Sequence, residues 1–240
     1  MPSLNSHQQC RWHGYATAAE LQQAAMQAIL RAAQQAIAHH GQFHIVLAGG
    51  TTPRKVYELL RRANVDGAEA DWAAWHVYFG DERCLPQDHA ERNSRMAAQA
   101  WLDHVPIPRQ QIHAIHAETG AESAAAAYAQ TLKGIGLFDL VLLGLGEDGH
   151  TASLFPGHEW GRTSSSPAAM AVHDAPKPPP DRVSLSAQRL SAARQVMFLV
   201  TGETKRQAVN NWRNGAEIPA AAIAPANRVD VYAEAALLEN

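Results

Sequence analysis

The chain has 240 residues, 46% of them hydrophobic and 18% charged, which is the composition of an ordinary globular protein with ample material for a core. Its net charge of -3 offers no basic field to nucleic acid, and no apolar run approaches the ~20 residues that cross a bilayer. Residues 1–14 lack the apolar core of a signal peptide, and two cysteines form no disulfide framework. We therefore expect a cytoplasmic protein without nucleic-acid or membrane partners.

The first half of the chain alternates helices and strands. Thr17 and Glu20 form a capping box, and Gly41 supplies a stop, so the sequence predicts a helix over residues 17–40. Further strands are predicted over residues 43–48, 75–79 and 111–116, and helices over 53–62, 93–102 and 122–133. The alternation indicates an α/β protein with a mainly parallel sheet, and we expect a single domain over residues 1–240.

A glycine pair and two hydroxyl residues join the second predicted strand to its helix. The turn consists of Gly49, Gly50, Thr51, Thr52 and Pro53. Thr52 suits the N-cap and Pro53 the first helical position. Free N–H groups at a helix N-terminus form an anion site that glycines leave accessible, so we favour a phosphate site over an ordinary capped turn. The segment lacks the Gly-Lys-Ser/Thr ending of a Walker loop.

Charged side chains follow the strand over residues 75–79. They are Asp81, Glu82 and Arg83, and in an open α/β sheet ligands bind beyond the carboxyl ends of strands. The alternative is a solvated loop with an internal ion pair. Cys84 has no base paired with it in sequence and is interpreted as a packing residue.

The most informative segment follows a buried strand predicted over residues 140–143. The glycines at 144, 146 and 149 fit a dinucleotide fingerprint, but the charges of Glu147 and Asp148 would repel a pyrophosphate. A metal site using these acids and His150 would need distant ligands, because no second histidine or cysteine lies at ligand spacing. Two acids and a histidine are thus delivered to the ligand-binding edge of the sheet, although an ordinary glycine-rich loop remains an alternative.

The last part of the chain predicts strands over residues 170–173, 183–186, 195–201 and 228–232, and helices over 187–193, 202–213 and 233–238. The proline-rich segment 176–182 is either a rigid linker or a wall of the site that aims Lys177 or Arg182. Lys205 lies in a first helical turn, against the preference of the helix dipole for acids there. An anionic ligand explains this cation better than stability does.

Taken together, these motifs resemble the 6-phosphogluconolactonase family. The segments that carry the resemblance are 48–53, 80–83, 144–156, 176–182, Gly202 and Lys205, in the order of the family. The resemblance implies a Rossmann-like open, mainly parallel sheet with helices on both faces, similar to the glucosamine-6-phosphate isomerase/deaminase group. This chain departs from the pattern at Ala48 and Thr51, and it has Arg92-Asn93-Ser94 where only Asn93 matches, which leaves roles for Arg92 and Ser94 open.

The implied activity is hydrolysis of 6-phospho-D-glucono-1,5-lactone to 6-phospho-D-gluconate in the oxidative pentose phosphate pathway. His150 would be the general base, Asp148 would orient it, and Arg83 would bind the lactone oxygens. Asp81 would hold Arg83 or sugar hydroxyls. The phosphate would be bound by Gly49, Gly50, Thr51, Thr52, Arg182 and Lys205. The only partner expected is this small phosphosugar lactone, with no metal or organic cofactor.

Two rival functions remain. An amino-sugar-phosphate isomerase/deaminase needs a carboxylate base, and an aromatic residue usually stands there where this chain has Arg83, which favours the lactonase. A non-catalytic sugar-phosphate sensor typically carries an added DNA-binding segment. A serine hydrolase is disfavoured because no Gly-x-Ser-x-Gly elbow occurs. For the oligomeric state we expect a monomer or weak homodimer.

Overall fold

The computed structural model of the chain describes residues 8–63 and 70–239. The strands of this part are, in chain order, β1 (Cys10–Tyr15), β2 (Phe43–Leu47), β3 (Trp75–Phe79), β4 (Asp81–Arg83), β5 (Ile112–His113), β6 (Phe138–Gly144), β7 (Ala169–Val172), β8 (Arg182–Leu185), β9 (Ala193–Val200) and β10 (Val229–Glu234). The α-helices are α1 (Ala18–His40), α2 (Thr51–Ala63), α3 (Asn93–Ala100), α4 (Ala121–Thr131), α5 (Ala187–Ser191) and α6 (Arg206–Arg213).

Seven strands pair in parallel in the order β1-β10-β9-β6-β2-β3-β5, which confirms the predicted open, mainly parallel α/β sheet. A second sheet of three antiparallel strands has the order β4-β8-β7. The chain builds outward from β2 through β3 to β5, and then from β6 through β9 to β10 on the other side. The strand order therefore reverses between β2 and β6, where open α/β sheets place their ligands.

Apolar runs account for the central strands. The first six residues of β6 are buried, as are the last five of β9, because a parallel strand covered on both faces carries a near-continuous apolar sequence. The first helix is held at both ends as predicted. Thr17 accepts a hydrogen bond from the Glu20 N–H, and Gly41 ends the helix in the left-handed region at φ 83°. No helix in residues 8–63 and 70–239 is long and apolar enough to cross a membrane.

Three local predictions are wrong. Helix α2 begins at Thr51, and the Gly50 carbonyl accepts from the Arg54 N–H, so Gly50 rather than Thr52 precedes the helix. The predicted C-terminal helix is an extension of β10 followed by a 3₁₀ turn, Ala235–Leu237. Lys205 closes a separate 3₁₀ turn, Glu203–Lys205, before α6. Alanine-rich ends and short turns carry little periodicity, so the pattern did not distinguish these cases.

Candidate active site

A cleft of about 310 Å³ lies at the carboxyl ends of the central strands. Seven of the predicted site residues line this cleft: Gly49, Gly50, Asp81, Arg83, His150, Arg182 and Lys205. These residues come from loops after β2, β3, β6 and β9 and from the small sheet, so the fold brings together what the sequence separates widely. Asp148 stands behind His150, and Thr51 and Thr52 form the first turn of α2.

The imidazole of His150 is fixed in place from several sides. Its ring lies so close to Gly146 that a Cβ on that glycine would be 2.0 Å from Nδ1. The ring centroid is 4.7 Å from that of Phe155. Asp148 Oδ1 is 2.5 Å from Nδ1, and the same oxygen accepts the backbone N–H of His150 at 3.1 Å. The glycines of this loop therefore allow the histidine to fold back onto its own turn, which also brings Asp148 into contact.

The protonation of this pair follows from its surroundings. Burial pushes the pKa of Asp148 upward, but the backbone N–H and the imidazole of His150 outweigh burial and hold the pKa below that of an ordinary carboxyl. An ionised carboxylate only accepts hydrogen bonds, so Nδ1 of His150 carries the proton. Burial lowers the pKa of His150, and Asp148 offsets this only in part. At neutral pH the imidazole is uncharged, with a free lone pair on Nε2.

Asp81 is held by two neighbours that the sequence analysis did not assign to the site. Its Oδ1 accepts from Asn93 Nδ2 at 2.9 Å, and its Oδ2 accepts from Ser153 Oγ at 2.6 Å. Arg83 instead donates from Nη1 to the carbonyl of Glu91. The expected contact between Asp81 and Arg83 is therefore not made within the described residues. The Asn93 amide also lies against Gly49, where a Cβ would be 2.0 Å from Oδ1.

Glu82 supports the site from beneath. It is fully buried, and its two carboxylate oxygens accept from the backbone N–H groups of Asn93 and Ser94, at 2.7 and 2.8 Å. These are unpaired donors at the start of α3, so a carboxylate from a neighbouring strand caps this helix. Arg92 Nε lies 3.5 Å from Glu82, and Arg92 Nη1 donates to Glu118 at 2.5 Å. Arg92 and Ser94 thus have structural partners away from the cleft.

Arg83 retains donors that no acceptor in residues 8–63 and 70–239 uses. Its Nε is buried and unpaired, and among the described residues only Nη1 has a hydrogen-bond acceptor. Arg83 lines the same cleft as His150. An unsatisfied guanidinium donor beside a ligand cavity is a costly arrangement unless a ligand supplies acceptors.

The predicted phosphate end of the cleft consists of backbone amides and two lysines, Lys205 and Lys177. Pro53 has no N–H and the first amides of a helix have no intrahelical acceptor, so the amides of Gly50, Thr51 and Thr52 remain available. The Thr52 hydroxyl lies 2.6 Å from that of Thr201, at the end of β9. This contact joins the α2 turn to the segment that carries Lys205.

Lys205 is half-buried and lines the cleft. Burial lowers its pKa, and the exposed Lys177, which also lines the cleft, lowers it further, while Glu147 and Asp148 raise it. The repulsion between two ammonium groups at one cavity is compensated when an anion binds there. The sequence weighed Lys177 only as one of two cations that the proline segment could aim.

Arg182 has a different set of contacts from a free phosphate-binding cation. It is 5% exposed, and its guanidinium donates to the carbonyls of Lys177, Pro178 and Pro179. It therefore holds the proline segment in shape and fixes the backbone that carries Lys177. A direct contact of Arg182 with phosphate stays a prediction. Within the described residues, no group of three or more histidine, cysteine or acidic side chains could hold a metal ion.

The fold and the cleft define an α/β protein of the Rossmann-like type, with its ligand site at the switch point of the sheet. A family profile described as glucosamine-6-phosphate isomerases/6-phosphogluconolactonase matches residues 16–232. The chain therefore belongs to this family, which confirms the resemblance found in the sequence.

Individual relatives agree with this assignment. A rice protein named probable 6-phosphogluconolactonase 3, chloroplastic, is 36% identical over 194 residues, which are 75% of this chain but only 58% of the rice protein. The 6-phosphogluconolactonase of Mycobacterium tuberculosis is 38% identical over 201 residues, 78% of this chain and 80% of that protein. The solved 6-phosphogluconolactonase of Trypanosoma brucei superposes with a TM-score of 0.86 at 26% identity, covering 97% of this chain and 99% of the other.

The sequence analysis missed Asn93 and Ser153 as members of the site. Asn93 was noted only as a match to the family pattern, and Ser153 lies inside the specific run of residues 146–156. Both act by bonding Asp81, which is 12 residues from the first and 72 from the second. A buried carboxylate needs such partners, but the chain offers many hydroxyls and amides, and only the fold selects among them.

Proposed function

We propose that this chain hydrolyses 6-phospho-D-glucono-1,5-lactone to 6-phospho-D-gluconate, the lactonase step of the oxidative pentose phosphate pathway, by general-base activation of water. One observation carries the proposal: a neutral imidazole, His150, lines the same cleft as the Gly49-Gly50 turn and Lys205. The rice, Mycobacterium and Trypanosoma relatives are named as 6-phosphogluconolactonases, which supports the same activity.

In the proposed first step, Nε2 of His150 removes a proton from water while the water oxygen attacks the lactone carbonyl carbon. Asp148 keeps the proton on Nδ1 and stabilises the imidazolium that forms, so the base is in the correct tautomer before the substrate arrives. The low pKa of His150 keeps the base unprotonated at neutral pH. A general base of this kind contributes about 10²–10⁴ in rate.

In the second step the tetrahedral oxyanion collapses, the bond from the carbonyl carbon to the ring oxygen breaks, and the imidazolium of His150 returns its proton to that oxygen. The products are the open-chain carboxylic acid and a hydroxyl, so every proton taken from water is accounted for. The unpaired donors of Arg83 stabilise the negative charge on the carbonyl oxygen. Asp81, held by Asn93 and Ser153, is a fixed acceptor for a sugar hydroxyl.

The phosphate group orients the substrate. The amides at the start of α2 donate hydrogen bonds to its oxygens, and Lys205 neutralises its charge. Binding energy from this remote group holds the ester carbon near His150, which lowers the entropic part of the barrier. None of these steps uses a metal or organic cofactor.

The state of the carboxylates favours the lactonase over the isomerase/deaminase activity of the same family. Deamination of an amino-sugar phosphate needs a carboxylate base that can move a proton on the sugar. Asp81, the carboxylate that lines the cleft, is 6% exposed, and both of its oxygens already accept hydrogen bonds. Glu82 is fully buried under the helix that it caps. The uncommitted proton acceptor of the cleft is the imidazole of His150.

A coupled assay of the purified chain tests the proposal. Lactone hydrolysis is followed through formation of 6-phosphogluconate, and the spontaneous rate is subtracted. The wild-type chain should accelerate hydrolysis, and His150→Gln, which fills the same space, should fold normally and lose about 10²–10⁴ in kcat. Ammonia release from glucosamine 6-phosphate without lactone turnover would establish the deaminase instead. Binding of the phosphosugar with neither reaction would indicate the sensor. The single domain, the cytoplasmic location and the monomeric or weakly dimeric state stay predictions.

A further inference from the structure

A second concave site lies at the opposite edge of the sheet. A groove of about 750 Å³ is formed by the amino ends of β1, β9 and β10, the start of β6 and the last turns of α1. Because the strands of this sheet are parallel, their amino ends lie at the edge remote from the proposed active site. The proposed lactonase mechanism uses none of the residues of this groove.

Two buried aspartates organise the groove. Asp230 is 4% exposed, and its Oδ1 lies 2.7 Å from Arg11 Nε and 3.9 Å from Arg228 Nε. Asp139 is 5% exposed, and its Oδ1 lies 3.2 Å from Arg194 Nε. Burial pushes the pKa of Asp230 upward, but His13 and Arg11 outweigh burial and keep this carboxylate ionised.

The three arginines face the aspartates through the same atom, Nε, although only Arg11 is hydrogen-bonded to one. Every contact to an aspartate uses Nε, and in the described part of the chain no protein acceptor is bonded to the Nη nitrogens of Arg11, Arg194 or Arg228. The three side chains are 51%, 53% and 54% exposed. Asp230 thus anchors one edge of the Arg11 guanidinium by a hydrogen bond, while Arg194 and Arg228 make looser ion pairs at 3.2 and 3.9 Å. The fork-shaped Nη edge of each guanidinium stays available to a ligand. An arginine held near a carboxylate in this way loses less entropy on binding than a free side chain does.

Sheet geometry spaces the backbone positions of the two outer cations. Arg194 lies on β9 and Arg11 on β1, with β10 between them. Neighbouring strands are ~4.8 Å apart, and the register places Arg11 level with Met197, three residues beyond Arg194. With ~3.3 Å per residue along a strand, the Cα atoms of Arg11 and Arg194 are roughly 14 Å apart. Arg228 shares the carboxylate of Asp230 with Arg11, so the groove has two cationic points, one at Arg194 and one at the Arg11–Arg228 pair. His39 and His40, at the end of α1, also line it.

We propose that this groove binds a small metabolite that carries two phosphoryl groups at opposite ends of its carbon skeleton. Planar guanidinium forks match phosphate oxygens in bidentate geometry, and two forks on separate strands, with Cα atoms roughly 14 Å apart, match two separate phosphates better than one. The concave shape and the volume of about 750 Å³ suit a small molecule. The site is distinct from the proposed active site, and the proposal does not depend on the lactonase activity.

Amide chemical-shift mapping of the full chain with fructose 1,6-bisphosphate as the probe tests this proposal. We expect saturable shifts at residues 11–13, 194–195 and 228–230, and fructose 6-phosphate should bind there about tenfold more weakly, because it lacks one charged hydrogen-bonding group. Arg194→Gln should weaken the bisphosphate at the groove about tenfold. The matched control is Arg109→Gln, which removes an arginine that is 75% exposed and bonded to Asp103 at 2.9 Å, and should change nothing at the groove.

The outcomes separate the groove from the cleft. Shifts of the bisphosphate confined to residues 49–52 and 205 would overturn the proposal, as would equal affinity at the groove for the two probes. If Arg194→Gln fails to fold, Arg194→Lys keeps the charge beside Asp139 but loses the fork, and it should also weaken the bisphosphate. Unchanged groove binding in that variant would overturn the proposal too. Lys205→Ala should leave the groove shifts unaffected, which keeps a failure at the proposed active site distinguishable from a failure here.

Discussion

Gly146→Ala gives the most direct test of how His150 is positioned. The new Cβ would lie 2.0 Å from Nδ1, 2.3 Å from Cε1 and 2.6 Å from Cγ of the imidazole. The φ angle of Gly146 is outside the left-handed region, so the backbone is compatible with an alanine. The expected loss of activity therefore comes from the contact with the imidazole alone. The ring must move because the methyl group occupies its space.

The size of the effect follows from these distances. Ordinary van der Waals contact begins at 3.4 Å, so Nδ1 must retreat from 2.0 to 3.4 Å, a shift of about 1.4 Å. The bond of 2.5 Å to Asp148 cannot survive such a shift unless the loop follows. A misplacement of about 1 Å in a catalytic group costs about 10²-fold. We therefore expect kcat to fall by about 10²-fold with little change in KM, because the phosphate turn is on another loop.

Steady-state lactonase assays on three proteins decide the matter. The control is Gly136→Ala, since nothing lies within 4 Å of a Cβ built there and its φ is not positive. Both variants should unfold near the urea midpoint of the wild type, and the control should keep its kcat. If Gly146→Ala keeps kcat within about threefold of the wild type, positioning of His150 against this loop has no part in the rate.

Three further predictions concern other parts of the molecule. Lys205→Ala should raise KM for the phosphorylated lactone far more than for unphosphorylated gluconolactone, and an equal change for both would assign Lys205 a structural role. Glu82→Gln should lower the free energy of unfolding by about 3 kcal/mol in urea titrations, because it removes the buried negative charge that faces Arg92 and accepts from two helix amides. A change below about 0.5 kcal/mol would contradict the role of Glu82 as a cap. Burial, and after it the nearby His76, lowers the pKa of His44 from 6.5 to about 4. As the pH drops from 6.5 to 4, the unfolded chain therefore binds a proton at His44 that the folded chain does not. The free energy of unfolding should fall over this range by at most about 3 kcal/mol. His44→Asn should remove this part of the acid sensitivity, and an unchanged pH profile of the urea midpoint would contradict the assignment.

The sequence predicted the parallel sheet and the segments that meet at its carboxyl edge because both depend on strong local patterns. Strand β3 was predicted at its observed bounds. The bounds predicted for β6 from an unbroken apolar run differ from the observed ones by at most two residues at each end. The capped first helix was predicted from Thr17, Glu20 and Gly41 alone. Such features need no knowledge of distant residues.

The supporting contacts of the site could not be predicted in this way. The bonds from Asn93 and Ser153 to Asp81, and the cap that Glu82 provides to α3, join residues 11 to 72 positions apart. Their partners are common residue types whose choice depends on the packed fold. For Arg182 the sequence suggested a ligand contact where the structure shows contacts within the protein. We assigned this cation to the phosphate, but its guanidinium donates to three nearby carbonyls.

The order of strands explains how the proposed base and the proposed phosphate turn come to line one cleft. The Gly49-Gly50 turn follows β2 and the His150 loop follows β6, and these adjacent strands lie on either side of the point where the strand order reverses. Because the connections diverge at this point, neither loop has to cover the other, and a cleft opens between them. Lys205 follows β9, on the far side of β6, and the hydroxyl contact between Thr52 and Thr201 links the end of β9 to the start of α2. The cation proposed to neutralise the phosphate is thereby tied to the amides proposed to bind it, while the imidazole stays on its own loop, so we expect phosphate affinity and proton transfer to be perturbed separately.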